Sequence, residues 1–192
     1  NWYRVMFDLS AKTVGFLDGV TRASIVESLT NPGWFRCSIT YELAPGDLTS
    51  PDNVSVLVAP MSSASTTAST SYSQSGEAVF ATMASITETA SPAEYAVATT
   101  VIIDEGAPRG RIDAGENYLL QSENLAVTWA GAAASAGTGT DPDNATTNCA
   151  IVEDGTNAGH YFSQTPTGGG TKDTLYTLSV LARAGTRNFL GL

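Results

Sequence analysis

The sequence predicts an all-β fold of antiparallel strands arranged as two sheets packed face to face. Apolar and polar residues alternate with a period of two in segment after segment, and β-branched and aromatic residues concentrate in those segments. Clusters of Gly, Pro, Asn and Asp separate the segments at short intervals, as hairpins and sheet-to-sheet connections require. No stretch sustains a helical period.

Taken in order, the first strand is expected over residues 3–9, where Tyr3, Val5 and Phe7 share a face. The turn Leu17-Asp18-Gly19 precedes a strand over 23–29, and Asn31-Pro32-Gly33 precedes one over 34–43. In the latter, Phe35, Cys37, Ile39 and Tyr41 share a face, so Cys37 reads as a small buried hydrophobe. After Ala44-Pro45-Gly46-Asp47 comes a strand over 54–59. Residues 62–75 are nearly all Ser, Thr and Ala, with Tyr72 the exception. Their scant apolar surface allows a long exposed loop or an extended edge segment. Strands over 78–86 and 95–103 follow, then Asp104-Glu105-Gly106-Ala107-Pro108-Arg109-Gly110, which opens a linker over 104–116.

Short strands are expected over 118–121 and 126–129. Residues 130–139 are rich in Ala, but their three glycines argue for a loop rather than a helix. The turns Asp141-Pro142-Asp143-Asn144 and Gly168-Gly169-Gly170 then divide strands over 149–153, 159–164, 176–182 and 188–192.

The 192 residues suffice for one large β domain or parts of two. With 19 acidic against 9 basic residues the formal charge is −10, a surface that repels phosphate backbones and anionic lipid. Neither nucleic acid nor membrane insertion is expected, and no apolar run is long enough for a helical span. Two cysteines, Cys37 and Cys149, make no disulfide framework, and no bond between them is expected. Low Lys with abundant Thr, Ser, Ala and Gly suits an extracellular or virion-surface protein. The chain opens on Asn1 and runs straight into a strand, as a processed or partial chain does.

Chemistry-bearing motifs are scarce. His160, the only histidine, reads as a strand-end or surface residue beside Tyr161. A Ser-His-Asp triad is formally available to it, yet no Gly-x-Ser-x-Gly elbow supports one. One His and two distant Cys do not make a zinc site. Carboxylates pair up in Asp141/Asp143, Glu153/Asp154 and Asp113/Glu116. Calcium needs six or more oxygens; Asp141, Asp143 and Asn144 are the candidate ligands, and no other cofactor is expected. Nothing selects two of the 19 carboxylates as a glycosidase pair. A sugar needs an exposed aromatic platform, for which Trp2, Tyr72, Trp129 and Tyr161 are the candidates, in competition with core packing.

Longer phrases carry more. From Asn117 the chain reads Asn-Tyr-Leu-Leu-Gln-Ser-Glu-Asn-Leu, then Trp129, Cys-Ala-Ile-Val-Glu-Asp-Gly-Thr, His-Tyr-Phe-Ser-Gln and Tyr-Thr-Leu-Ser-Val-Leu-Ala-Arg-Ala-Gly. Near the start stand Phe7-Asp8-Leu9-Ser10-Ala11-Lys12-Thr13-Val14-Gly15 and Gly33-Trp34-Phe35-Arg36-Cys37-Ser38. This set resembles the carbohydrate-binding-like jelly-roll modules repeated in bacteriophage tail and head fibre proteins, with the order permuted. The resemblance implies a jelly-roll-like β-sandwich in two half-domains. Residues 1–103 would be the C-terminal part of one module, 104–116 a linker, and 117–192 the N-terminal part of the next.

Half a module leaves open edges and half a core, so the second stretch should pair with a segment equivalent to the first, with 189–192 beside its strands. That segment could come from the same chain as a circular permutant, from the next unit of a tandem array, or from a neighbouring copy. The last would build an open head-to-tail fibre. A linker of about 13 residues reaches up to about 43 Å, enough for each case. The expected function is a non-enzymatic structural protein of an extracellular or virion fibre. The alternative is an adhesin module that binds a cell-surface glycan, and a secreted glycoside hydrolase is more remote.

Overall fold

The computed structural model describes residues 3–43, 55–65, 71–72, 76, 78–89, 117–120, 123–166 and 174–192. Among them there is no helix. The strands are β1 (Arg4–Asp8), β2 (Thr13–Asp18), β3 (Arg22–Glu27), β4 (Phe35–Glu42), β5 (Val56–Pro60), β6 (Ser71–Tyr72) and β7 (Ala78–Thr89). There follow β8 (Ala130–Ala132), β9 (Ala134–Thr140), β10 (Thr146–Glu153), β11 (Ala158–Gly159), β12 (Tyr161–Gln164), β13 (Leu175–Ala184) and β14 (Phe189–Gly191).

Two six-stranded antiparallel sheets hold all but β6 and β11, which pair with each other. Sheet I runs β2-β1-β14-β5-β12-β8, and sheet II runs β3-β4-β13-β7-β10-β9. Each sheet takes three strands from the first stretch and three from the second. The described residues therefore form one jelly-roll-like sandwich and not two, and the completing strands come from this chain. β14 lies between β1 and β5, with Leu190 opposite Phe7 and Pro60. Beyond the strand, Val5 and Leu192 exchange two backbone hydrogen bonds of 2.8 and 3.0 Å.

Period two explains the core. Val5, Phe7 and Leu9 from sheet I meet Phe35, Cys37, Ile39 and Tyr41 of β4 and Tyr176, Leu178, Val180 and Ala182 of β13 in one buried cluster. Tyr3 stacks on Tyr41 at 4.8 Å between ring centroids, extending the cluster to its rim. In β7 the inward residues are Val79 and Ala81, then Ala84 and Ile86. This change of parity is absorbed by a bulge opposite Ser179 and Leu181, where Met83 takes a φ of +51°. One extra residue keeps both ends of the strand facing the core.

Several expectations need correction. Residues 126–129 form turn, bend and irregular backbone rather than strand, and residues 118–120, the described part of the 118–121 segment, form no strand either. The strand expected over 95–103 and the linker over 104–116 lie outside the described residues. β2 was hidden by its glycine and by the turn beside it. The Ala-rich stretch is β8 and β9, joined by a corner at Ala133 with a φ of +46°, instead of a loop. Its glycines mark close approach rather than looseness: a Cβ at Gly137 would lie 2.7 Å from Val152 Cγ2. The cysteines are unbonded and Cys37 is buried, as expected; Cys149 is buried too, and burial raises both thiol pKa values.

Leu190 is fully buried in the strand that joins the two stretches, so Leu190→Ala should cost about 2–5 kcal/mol in urea unfolding. A loss well under about 1 kcal/mol would show that β14 is dispensable. Asp8 caps the turn after β1: burial pushes its carboxyl up, but the Ser10 hydroxyl and the Ala11 and Ser10 amides outweigh this and hold it below its ordinary value. A depressed folded value stabilises the protein above the unfolded pKa of about 3.9 and is lost as pH falls through the folded one. The melting-temperature gap between wild type and Asp8→Asn should therefore close as pH drops from about 5 to about 3.

Candidate functional site

Sheet II carries a cationic site on its outer face, assembled by register. The turn Asn31-Pro32-Gly33, with Gly33 at a φ of +87° and its amide 3.1 Å from Glu27 Oε1, delivers Trp34 to the start of β4. Phe35 lies opposite Ala182 with both facing the core, so Trp34 and Arg183 take the outer side. Arg183 in turn lies opposite Phe80 of β7. The guanidinium carbon sits 4.9 Å from the Trp34 ring centroid and 4.5 Å from that of Phe80. It is thus gripped by two aromatic rings, whose negative faces favour the cation.

The rings are themselves fixed. A Cβ at Gly139 would lie 2.7 Å from a Phe80 ring carbon and 2.9 Å from Cys149 Sγ, so the glycine leaves the room that Phe80 fills. Trp34, Cys149 and Leu181 form a buried cluster with Phe80 and Met83 packed against it. Arg183 itself is only partly buried. No acceptor among the described residues reaches its guanidinium N–H groups, and it makes no ion pair with any of them. Along the same face, the hydroxyl of Thr82, two residues beyond Phe80, is buried without a hydrogen-bond partner. Asp141 and Arg183 both act electrostatically on Cys149, which places an acidic group in the same neighbourhood.

Next to this site the outer face of sheet II is lined with hydroxyls. Ser24, Ser38, Ser179 and Ser85 stand opposite one another on four successive strands. Ser85 and Ser179 bond at 2.9 Å, and Thr40 and Thr177 at 3.1 Å. Cross-strand hydroxyl pairs of this kind stabilise a sheet while keeping its face polar.

The candidates named from the sequence do not converge. Trp129 is buried in the main core, its indole Nε1 without a partner, so it offers no platform to a sugar. Tyr161 is half-buried on the outer face of sheet I, against a cluster of Met6, Ala59 and Met61 that Phe16 and Phe189 also join. Tyr72 lies in β6 opposite Ala158, and Trp2 is outside the described residues. Asp141 is buried in the β9–β10 turn, where one carboxylate oxygen accepts the amides of Asp143 and Ala145 at 2.9 Å each. Asn144 occupies the left-handed position of that turn, with a φ of +62°. The turn thus takes up part of the oxygen set a calcium ion would use. Among the described residues, no three His, Cys, Asp or Glu side chains are grouped to hold a metal ion.

His160 stands between β11 and β12, at a strand end as expected, but it is fully buried rather than on the surface. Its Nδ1 lies 2.7 Å from the Ala133 carbonyl, which can only accept, so the proton is on Nδ1. The exposed carboxylate of Asp154 is 4.0 Å away. The neighbouring Glu153 is buried and takes a two-point hydrogen bond from Arg187, at 3.0 and 3.1 Å.

Sequence reasoning missed Arg183 and Phe80. The available signal was the outward position of Arg183 in an alternating strand, but only the pairing of strands remote in sequence reveals its aromatic neighbours. No protein family, no curated protein and no solved structure matches the chain.

Removing Arg187 strands the Glu153 carboxylate away from water, so Arg187→Ala should cost about 3–5 kcal/mol by chemical denaturation. The double substitution Glu153→Leu with Arg187→Met should recover most of that loss. A double variant no more stable than Arg187→Ala would show that the corner depends on the charges themselves.

Proposed function

We propose that the protein is a non-enzymatic structural unit of an extracellular or virion-surface fibre, assembled from copies of itself. The observation that carries this reading is the pairing of β13 with β4. The phrase Tyr-Thr-Leu-Ser-Val-Leu-Ala-Arg-Ala-Gly and the phrase Gly-Trp-Phe-Arg-Cys-Ser, the two most similar to fibre modules, lie side by side in sheet II. Their register runs unbroken from Leu175–Glu42 to Ala182–Phe35. The permuted phrases therefore serve one fold.

The edges of sheet II support assembly. β9, with the sequence Ala-Ser-Ala-Gly-Thr-Gly-Thr, is an outermost strand with neither charge nor proline, and such an edge invites another strand. The opposite edge is β3. Joining β9 of one copy to β3 of the next is a heterologous contact that does not close, and it yields an open head-to-tail array.

Sedimentation velocity and electron microscopy of the purified chain should show concentration-dependent linear oligomers. Placing charges on two exposed β9 positions, with Ser135→Lys and Thr138→Lys together, should shift the population strongly toward monomer. Wild-type protein that stays monomeric up to its solubility limit would count against the reading.

A second reading, a module that binds a cell-surface glycan, draws on the unpaired Arg183 between its two rings. Binding of any saccharide class on a glycan array supports it, and a silent array weighs against it.

A further inference from the structure

We infer that Arg183 anchors a site for an oxyanion, carboxylate or sulfate, carried on an acidic saccharide. This rests on the glycan-binding reading above and gives it a place and a ligand class. A guanidinium has five N–H donors in a planar fork, and the rings of Trp34 and Phe80 hold its carbon at 4.9 and 4.5 Å from their centroids. Its N–H edge suits two-point bonding to a carboxylate or sulfate.

Among the described residues the partners that usually consume such a fork are missing: no acidic side chain there makes an ion pair with Arg183, and no carbonyl or hydroxyl there accepts from it. By contrast Arg187 is saturated by Glu153, and Arg4 is paired with Asp18 at 2.9 Å. Arg183 is thus held in place without being used. The group is partly exposed, so an incoming anion can reach it.

The surroundings shape what enters. The hydroxyl of Thr82 on the same face is unpartnered but closed off from solvent, so a ligand does not reach it. Asp141, whose charge acts on Cys149 as that of Arg183 does, accepts the amides of Asp143 and Ala145 and makes no ion pair with Arg183. In a molecule of net charge −10, a free anion is repelled at long range. A ligand must therefore add contacts beyond its charge, and a saccharide can supply hydroxyls and apolar C–H faces together with the oxyanion.

Isothermal titration with three oligosaccharides of equal length tests this: a uronic acid oligomer, a sulfated neutral-sugar oligomer and the unmodified neutral oligomer. Wild type should bind one or both acidic ligands and bind the neutral one at least about tenfold more weakly. The uronate and sulfate arms identify which oxyanion is taken. Arg183→Gln should weaken acidic binding at least about tenfold, with a melting temperature showing that it is folded. Arg183→Lys keeps the charge but loses the fork and the flat stacking face, so it should fall between the two. It also serves as the readout should the Gln variant not fold.

Acidic binding that is equal in wild type and Arg183→Lys overturns the site. So does acidic binding that persists undiminished in folded Arg183→Gln. Neutral binding as tight as acidic binding overturns it too, while leaving the glycan reading standing. No binding to any of the three overturns the site, and a silent glycan array then weighs against the glycan reading as well.

Discussion

Between Ala184 and Phe189 the chain leaves the middle of sheet II and enters the middle of sheet I, and the geometry of that short corner limits everything on either side. β13 sits between β4 and β7, and β14 between β1 and β5, so a shift of the corner would disturb four neighbouring strands at once. Hydrogen bonds anchor it. The Arg187 amide donates to the Ala78 carbonyl at 2.9 Å, and its guanidinium is clamped on Glu153 of β10. Thr186 adds a hydrogen bond of 2.7 Å from the Ala78 amide. A buried ion pair seldom adds net stability over an apolar substitute, but it fixes position, and position is what this corner needs.

The crossings at the two sides complete the enclosure. β2 passes into β3, and β8 into β9, so at each lateral edge the chain itself steps from one sheet to the other. The left-handed residues lie where these paths turn sharply: Gly19 after β2 at a φ of +70°, and Ala133 between β8 and β9. At Ala133 the strain is offset by use of its carbonyl, which accepts both the Asp154 amide at 3.0 Å and His160 Nδ1. The single histidine is thereby a buried strut under a corner.

How much of this was legible depended on scale. Alternation within a strand is local, and it gave β1, β3, β4, β5, β7, β10, β12, β13 and β14 to within a few residues. It failed where side chains are small. In β9 the inward and outward residues are Ala, Ser, Gly and Thr, and their hydropathy does not alternate, although Gly137 and Gly139 are dictated by packing. The longer phrases, read in permuted order, placed β14 beside the first stretch, a contact local patterning could not supply. Trp129 went astray for the opposite reason. It and Tyr161 are equally amphipathic in sequence, and only the fold decides which of them is enclosed. Arg183 was invisible because its meaning lies in Trp34 and Phe80, more than a hundred positions earlier.

The pairing of Val5 with Leu192 bears on how force would travel through the molecule. The start of β1 and the end of β14 lie side by side on antiparallel neighbours. Tension applied between Tyr3 and Leu192 would load the bonds joining these strands one after another and peel them apart. A row of bonds loaded together resists far better than a row loaded in sequence. The interleaved sandwich is therefore soft when pulled by this pair of residues and stiff when pulled across its flanks. An assembly under mechanical load would do best to pass that load from sheet edge to sheet edge.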